Sequence, residues 1–428
     1  MLSQDHFTLL RHGPTLSLQD ITNSFTIGRF ERCHFQNRLI GSKGDHLMRS
    51  AKKLQAVSNK QDGFDPGRRR FAKLALTGGL AGAAMLADPV PGAPKMFANA
   101  PGIKLSVQVG SDPTPEDLQF VRELGAEYVN IWTDAKTANL DNYQRLIYNV
   151  ESAGLKVWNI GNLSVHNMEE VTLNLPGRDQ KVEEYKAYLR LLGKVGLRYT
   201  TYAHMGNGIW SSERETTRGG ASARALNLDK PHKGFWNGKD FFLPLTHGRV
   251  YSQEEIWENY TYFIKQVVPV AEEQGVRIGI HPDDPPVPVL GGVPRCIFGN
   301  FQGYVRALEI ANSPNIGVCL CAGTWLEGGT LMGKTVLEAI QYFGEQKKLF
   351  KIHFRNVEAP LPHFVETFVD CGYMDMYKVM RALRQVNFDG VVIGDHFPEM
   401  VGGQRASVAY TFGLIKAMKQ RADAEFST

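Results

Sequence analysis

The stretch Gly390-Val391-Val392-Ile393-Gly394-Asp395-His396 decides how this chain folds. Three β-branched residues between glycines read as a buried strand that ends on a carboxylate and an imidazole. Three upstream segments end alike: Arg277-Ile278-Gly279-Ile280-His281, Ile316-Gly317-Val318-Cys319-Leu320-Cys321 and Leu349-Phe350-Lys351-Ile352-His353. Four consecutive predicted strands therefore finish with His, Cys, His and Asp. In a parallel barrel the strand C-termini converge on one face, where active sites are assembled. Residues distant in sequence can meet there as a mixed nitrogen, sulfur and oxygen metal site.

Strand-like and helix-like segments alternate from residue 103 onward. Strands are expected at Lys104–Val109, Glu127–Trp132, Leu155–Ile160 and Tyr199–His204, followed by the four already quoted, the last ending at Asp395. Helices are expected at about 114–124, 139–153, 181–195, 252–274, 300–312, 333–345, 373–386 and 406–420. Thr114 before Pro115-Glu116-Asp117 reads as a helix start: a capping hydroxyl, proline at the first position and acids in the first turn. Gly125, Gly154, Gly196 and Gly275 read as helix stops. Eight β-then-α units predict a (β/α)8 TIM barrel. An open doubly wound sheet would bring a glycine-rich phosphate loop after its first strand, and Val109-Gly110-Ser111-Asp112-Pro113 is not one.

The insert 205–250 leaves the C-terminal end of strand four and carries Trp210, Arg214, Arg218, Arg224, His232, Trp236 and His247. Loops this long are functional or disordered. The aromatic content favours a lid or substrate wall over the active face.

The N-terminal segments differ in character. Residues 1–66 are polar and aperiodic and read as a disordered extension, with Met48 as an alternative start. Residues 67–101 hold Gly67-Arg68-Arg69-Arg70-Phe71-Ala72-Lys73, then a mildly apolar Gly/Ala-rich run and a Pro/Gly/Ala stretch. That order resembles a twin-arginine export signal, which implies a periplasmic protein, or a cytoplasmic one if the signal is not used. The catalytic domain is expected over 103–421. No apolar run reaches the roughly 18–20 residues needed to span a bilayer, so stable membrane insertion is not expected. A net charge of +4 over 428 residues, with both signs interspersed, gives no footprint for nucleic acid. Five irregularly spaced cysteines make no disulfide framework.

Several residues carry chemistry. His281 opens His281-Pro282-Asp283-Asp284-Pro285-Pro286, a stiff turn that suits a ligand of fixed direction. Cys319 and Cys321 share a parity; Cys321 is nearer the mouth and Cys319 belongs to the layer below. His353 and Arg355 share a side, which makes Arg355 either a clamp for a substrate carboxylate or part of a structural salt bridge. Asp395 is the fourth ligand candidate, and its neighbour His396 is placed to act as acid or base. One thiolate, two imidazoles and one carboxylate suit a borderline divalent ion, with Mn²⁺ or Fe²⁺ expected and Co²⁺ or Zn²⁺ as alternatives. Non-bridging ligands with room for substrate oxygens point to catalysis.

The run His281-Pro282-Asp283-Asp284-Pro285-Pro286, together with Gly292-Val293-Pro294-Arg295, Leu320-Cys321-Ala322-Gly323, His353-Phe354-Arg355-Asn356-Val357, Phe364-Val365-Glu366-Thr367, Gly372-Tyr373-Met374-Asp375-Met376 and Asp395-His396, resembles the mannonate dehydratase family. That family consists of metal-dependent enzymes of the xylose-isomerase-like barrel class. The resemblance implies His281, Cys321, His353 and Asp395 as metal ligands and His396 as a proton-transfer residue. It implies loss of water from D-mannonate, giving 2-keto-3-deoxy-D-gluconate, with a small sugar acid as the partner. Arg295, Arg355 and Asn356 are the substrate-binding candidates, and a homo-oligomer is compatible with this reading. Two departures stand out. Phe397-Pro398 follows Asp395-His396 where the family has glycine. The family's loop tyrosine maps to Tyr410 counting forward from His396, but to Arg405 counting back from Gly413. The competing activity is a sugar isomerase or epimerase on the same barrel. Two carboxylates bridging a metal pair would favour it, with Glu366 as the only reserve beside Asp395.

Overall fold

A computed structural model describes residues 101–427. The extension, the signal and the alternative start at Met48 lie outside the described residues. Eight parallel strands build the central sheet: β1 (Lys104–Val109), β2 (Tyr128–Thr133), β3 (Lys156–Asn162), β4 (Tyr199–Tyr202), β5 (Arg277–Ile280), β6 (Ile316–Cys321), β7 (Leu349–His353) and β8 (Val391–Ile393). Their order is β3-β2-β1-β8-β7-β6-β5-β4. The ring closes between β3 and β4, where Asn167 and Ala203 just beyond the strand ends form a parallel bridge. This is the (β/α)8 barrel that the alternation predicts.

The principal helices are α1 (Pro115–Leu124), α2 (Leu140–Ser152), α3 (Arg178–Lys194), α4 (Gln253–Gln274), α5 (Phe301–Ala311), α6 (Val336–Glu345), α7 (Met376–Gln385) and α8 (Gly403–Glu425). Local chemistry sets their ends. The Thr114 hydroxyl accepts from the Asp117 amide at 3.2 Å while the Asp117 carboxylate accepts from the Thr114 amide at 3.0 Å. Ser252 and Glu255 repeat this reciprocal cap on α4. Gly125 and Gly275 end α1 and α4 at φ of 75° and 60°, a left-handed turn that a Cβ would oppose. Tyr185 on α3, Tyr202 on β4 and Phe263 on α4 pack as one aromatic cluster, with the Tyr202 and Phe263 rings stacked at 4.7 Å.

Three findings differ from the pattern-based expectation. Regular pairing in β8 stops at Ile393, so Asp395 sits on the loop two residues beyond the strand. Short helices at Leu163–His166 and Glu169–Thr172 follow β3, and another at Ala322–Gly328 follows β6. Helices of four to seven residues are too short for the apolar periodicity to register. The last helix is also longer than 406–420.

The insert is built rather than loose. Ile209–Ser211, Lys233–Trp236 and Lys239–Phe241 form a three-stranded antiparallel sheet. Trp210, fully buried, packs there with Phe241 and Leu290. Ala225–Asn227 pairs antiparallel with His363–Thr367, a strand of the loop after β7. The insert is thereby fastened to the active face as a wall.

Candidate metal centre

Strand alternation brings His353 inward from β7 and Cys321 inward from β6, and the two are register partners. His281 follows β5 directly, its amide donating to the Tyr202 carbonyl at 2.8 Å. Asp395 arrives from the loop after β8. One donor atom from each of His281, Cys321, His353 and Asp395 lies within 4.8 Å of the other three. The sequence-predicted quartet is thus brought together.

The surroundings fix the direction of each donor. The His281 Nδ1–H donates to the Pro282 carbonyl at 2.7 Å, which leaves Nε2 as the free lone pair. Cys321 caps the short helix Ala322–Gly328, its sulfur accepting from the Thr324 amide at 3.4 Å. The Cys321 sulfur is 3.8 Å from Asp395 Oδ2. His353 Nδ1 is buried without a well-formed hydrogen bond, 3.4 Å from Asp395 Oδ1. A buried imidazole nitrogen left so, aimed at three further donors, fits a cation better than a packing role. Cys319 lies one layer below with its sulfur 3.6 Å from His353 Nε2. Deeper still, Lys351 reaches Asn130 at 3.4 Å, so the barrel interior under the site is polar.

The electrostatics follow from crowding. Burial pushes His281 down to about 3. Burial also opposes charge on His353, but the Asp395 carboxylate and the Cys319 sulfur outweigh it and hold this imidazole well above its ordinary value. Burial would raise Asp395; the His353 and His396 imidazoles instead hold it well below the usual carboxylate range.

Around the quartet lies a buried ionic layer that local sequence pattern does not reveal. Arg355, 1% exposed, donates from Nε to Asp395 at 3.1 Å, from one terminal nitrogen to Glu327 at 2.5 Å and Glu366 at 3.1 Å, and from the other to Asp284 at 2.6 Å and Thr324 at 2.9 Å. All five of its N–H donors are engaged by protein. The salt-bridge alternative is therefore the one realised, and no donor is left to clamp a substrate carboxylate. Arg224, from the insert, joins the same acids: Asp284 at 2.6 Å, Glu366 at 2.9 Å and Glu327 at 3.2 Å. Two guanidinium groups thus lie among three buried carboxylates. Burial and the neighbouring Asp284 push Glu327 up to about 7 against the pull of both arginines.

The remaining candidates fall as follows. Arg295 is buried and donates to the carbonyls of Pro285 and Gly208 and to Asn207. Asn356 is buried and donates to the carbonyls of Val369 and Met374. Asn356, like Arg355, spends its donors on the scaffold, whereas the Arg295 Nε is buried without a hydrogen-bond partner. His396 Nδ1 lies 2.8 Å from Glu366 Oε1, and its Nε2 lies 3.9 Å from Asp395 Oδ2. Burial alone would lower His396, but Asp395 and Glu366 hold it raised. The Tyr410 hydroxyl sits in a surface cluster, 2.9 Å from both Asp370 and Arg218. Arg405 pairs with Glu116 and Asp117 on α1. Glu366 turns toward Arg224, Arg355 and His396, so among the described residues the quartet contains one carboxylate and no bridging pair. Glu327 and Arg224 were missed as site residues because nothing local marks them. Asp284 lay in the quoted His-Pro-Asp-Asp-Pro-Pro run, where its charge gave the signal.

Eight parallel strands closing into an α/β barrel, with four ligand-type side chains converging at the C-terminal mouth, have the fold of a xylose-isomerase-like barrel carrying a candidate metal centre. The sequence profile of the family described as D-mannonate dehydratase (UxuA) matches residues 117–241 and 244–421, and the chain belongs to this hydro-lyase family. Mannonate dehydratase of Thermotoga neapolitana is 30% identical over 298 residues, spanning 63% of this chain and 81% of that protein. Mannonate dehydratase 2 of Halalkalibacterium halodurans is 28% identical over 299 residues, spanning 65% and 83%. In fold, the chain is similar to the crystal structure of mannonate dehydratase from Streptococcus suis serotype 2, with a TM-score of 0.66 at 24% identity over 77% of this chain and 96% of that one. A xylose isomerase domain protein from Planctomyces limnophilus superimposes at a TM-score of 0.51 and 13% identity, over 76% of this chain and the whole of the other.

Proposed function

We propose that this protein removes water from D-mannonate, giving 2-keto-3-deoxy-D-gluconate, at a divalent-cation centre held by His281, Cys321, His353 and Asp395. The observation that carries the reading is the meeting of those four donor atoms within 4.8 Å at the barrel mouth, in a chain of this family. The soft sulfur with two imidazoles and one carboxylate suits Mn²⁺ or Fe²⁺. Such an ion supplies Lewis-acid stabilisation for negative charge developing on substrate oxygens. The C–H beside a carboxylate is a very weak acid, so the reaction also needs groups that move protons. The C2 proton leaves, the C3 hydroxyl departs as water after protonation, and the resulting enol becomes the 2-keto group. His396 exchanges one of these protons through Nε2, the ring nitrogen on the Asp395 side. The insert and the arginine-carboxylate layer hold the donors in register and keep the scaffold acids from turning into the site. The Arg68-Arg69-Arg70-Phe71 run supports export to the periplasm. Among the described residues no helix is long and apolar enough to cross a membrane.

The test is incubation of metal-loaded protein with a panel of aldonic acids and ketoses. A 2-keto-3-deoxy product from D-mannonate is expected. Interconverted ketoses without loss of water would overturn the assignment.

A further inference from the structure

We infer that Glu366 is a positioning residue for His396, held in place by the insert after β4. This rests on the reading of His396 as a proton-transfer residue and goes beyond it. Glu366 lies on the strand His363–Thr367 and is 2% exposed. Its Oε1 meets His396 Nδ1 at 2.8 Å and also accepts from Arg224 at 2.9 Å and Arg355 at 3.1 Å. An ionised carboxylate only accepts hydrogen bonds, so the proton on that ring nitrogen stays there. Nε2 is then the nitrogen whose proton is free to exchange, and it faces the quartet, 3.9 Å from Asp395 Oδ2.

Glu366 has no freedom of its own. Its backbone amide donates to the Arg224 carbonyl at 2.9 Å, and the adjoining residues pair with the insert strand Ala225–Asn227. The two guanidinium groups pin the same carboxylate oxygen that meets the imidazole. A chain of contacts therefore runs from insert to Glu366 to His396 to the face where the ligands meet. The insert is a structural part of the proton-transfer apparatus as well as a wall.

The experiment compares wild type, Glu366→Gln, His396→Ala and the double variant on D-mannonate, with bound metal measured for each. Glu366→Gln is expected to lower kcat by about 10- to 100-fold, the usual loss when the partner of a functional imidazole is removed. KM and metal content should stay within about 2-fold of wild type, since neither ligation nor ground-state binding is touched. The double variant should be no slower than His396→Ala alone, because Glu366 acts only through that ring. Additive losses in the double variant, or metal lost in step with kcat in Glu366→Gln, would overturn the inference while leaving His396 its role. Wild-type kcat in His396→Ala would overturn both. Glu366→Asp keeps the charge between the two arginines and provides the same comparison if Glu366→Gln does not fold. It should again depress kcat with metal retained, and unchanged kcat there counts against the inference.

Discussion

Replacing Cys321 by serine separates the metal site from the fold. The thiolate and the Asp395 carboxylate together supply two negative charges, enough to neutralise a divalent ion, while the two imidazoles bind as neutral ligands. Serine keeps a ligand-sized oxygen but not the charge. Cys321 is fully buried, so the variant site would hold one uncompensated positive charge away from water. Removing one partner from a buried charge pair costs about 3–5 kcal/mol. At 1.4 kcal/mol per tenfold this weakens metal binding by between about 10²-fold and about 4 × 10³-fold. The fold should barely respond. Cys321 caps the helix Ala322–Gly328 through its sulfur, and serine is among the best residues at a cap. The metal-free variant should therefore lie within about 1 kcal/mol of wild type in urea unfolding. Chelator-competition titration with Mn²⁺ measures the first quantity and the urea midpoint the second. Cys319→Ser is the control, one layer lower on the same strand, and should lose stability while keeping the metal. Equal Mn²⁺ affinity in Cys321→Ser and wild type would remove the sulfur from the site and refute the charge argument. So would an equal loss of affinity in Cys319→Ser.

Other consequences follow from burial and crowding. Arg224→Met leaves Asp284, Glu327 and Glu366 with one guanidinium and should destabilise by about 3–5 kcal/mol in urea titration. Arg218→Ala breaks a solvent-exposed pair with Asp370 and should change stability by less than about 1 kcal/mol in the same assay. Gly323→Ala would put a Cβ 2.2 Å from the Arg355 side chain, so the guanidinium must shift and both stability and kcat should fall. Glu327 has a folded-state value of about 7 against an ordinary 4.5, so its contribution to stability is complete below about pH 4.5 and is lost as pH rises through 7. Glu327→Gln lacks that loss. The advantage of wild type over this variant should shrink by up to about 3 kcal/mol across that range, and a constant gap in urea titrations at pH 5 and pH 8 would contradict the assignment.

The barrel was legible because its signals are local. Apolar strands of fixed length, capping residues such as Thr114 and stops such as Gly125 act over a few residues, and each can be read without knowing what lies opposite. The ligand quartet was legible for a related reason. A residue at the end of a parallel strand has its destination set by topology, so His281, Cys321 and His353 could be assigned to one face before any distance was known. The fates of the arginines were not legible. Arg355 shares its side with His353, but whether it meets substrate or protein depends on Asp284, Glu327 and Glu366, which lie in the segments after β5, β6 and β7. Arg224 lies 142 residues from Glu366, inside an insert whose pattern carries no barrel signal. Ion-pair partners are chosen by the packing of distant segments, and a charge alone does not say which opposite charge it will meet.

Backbone periodicity and parallel topology alone specify the eight-fold alternation and send His281, Cys321, His353 and Asp395 to the mouth of the barrel. That the insert folds into a wall, that Arg355 and Asn356 are spent on the scaffold, and that Glu366 faces His396 became visible only in three dimensions. Those outcomes depend on which buried charges are within reach of one another, and that is a property of the assembled core.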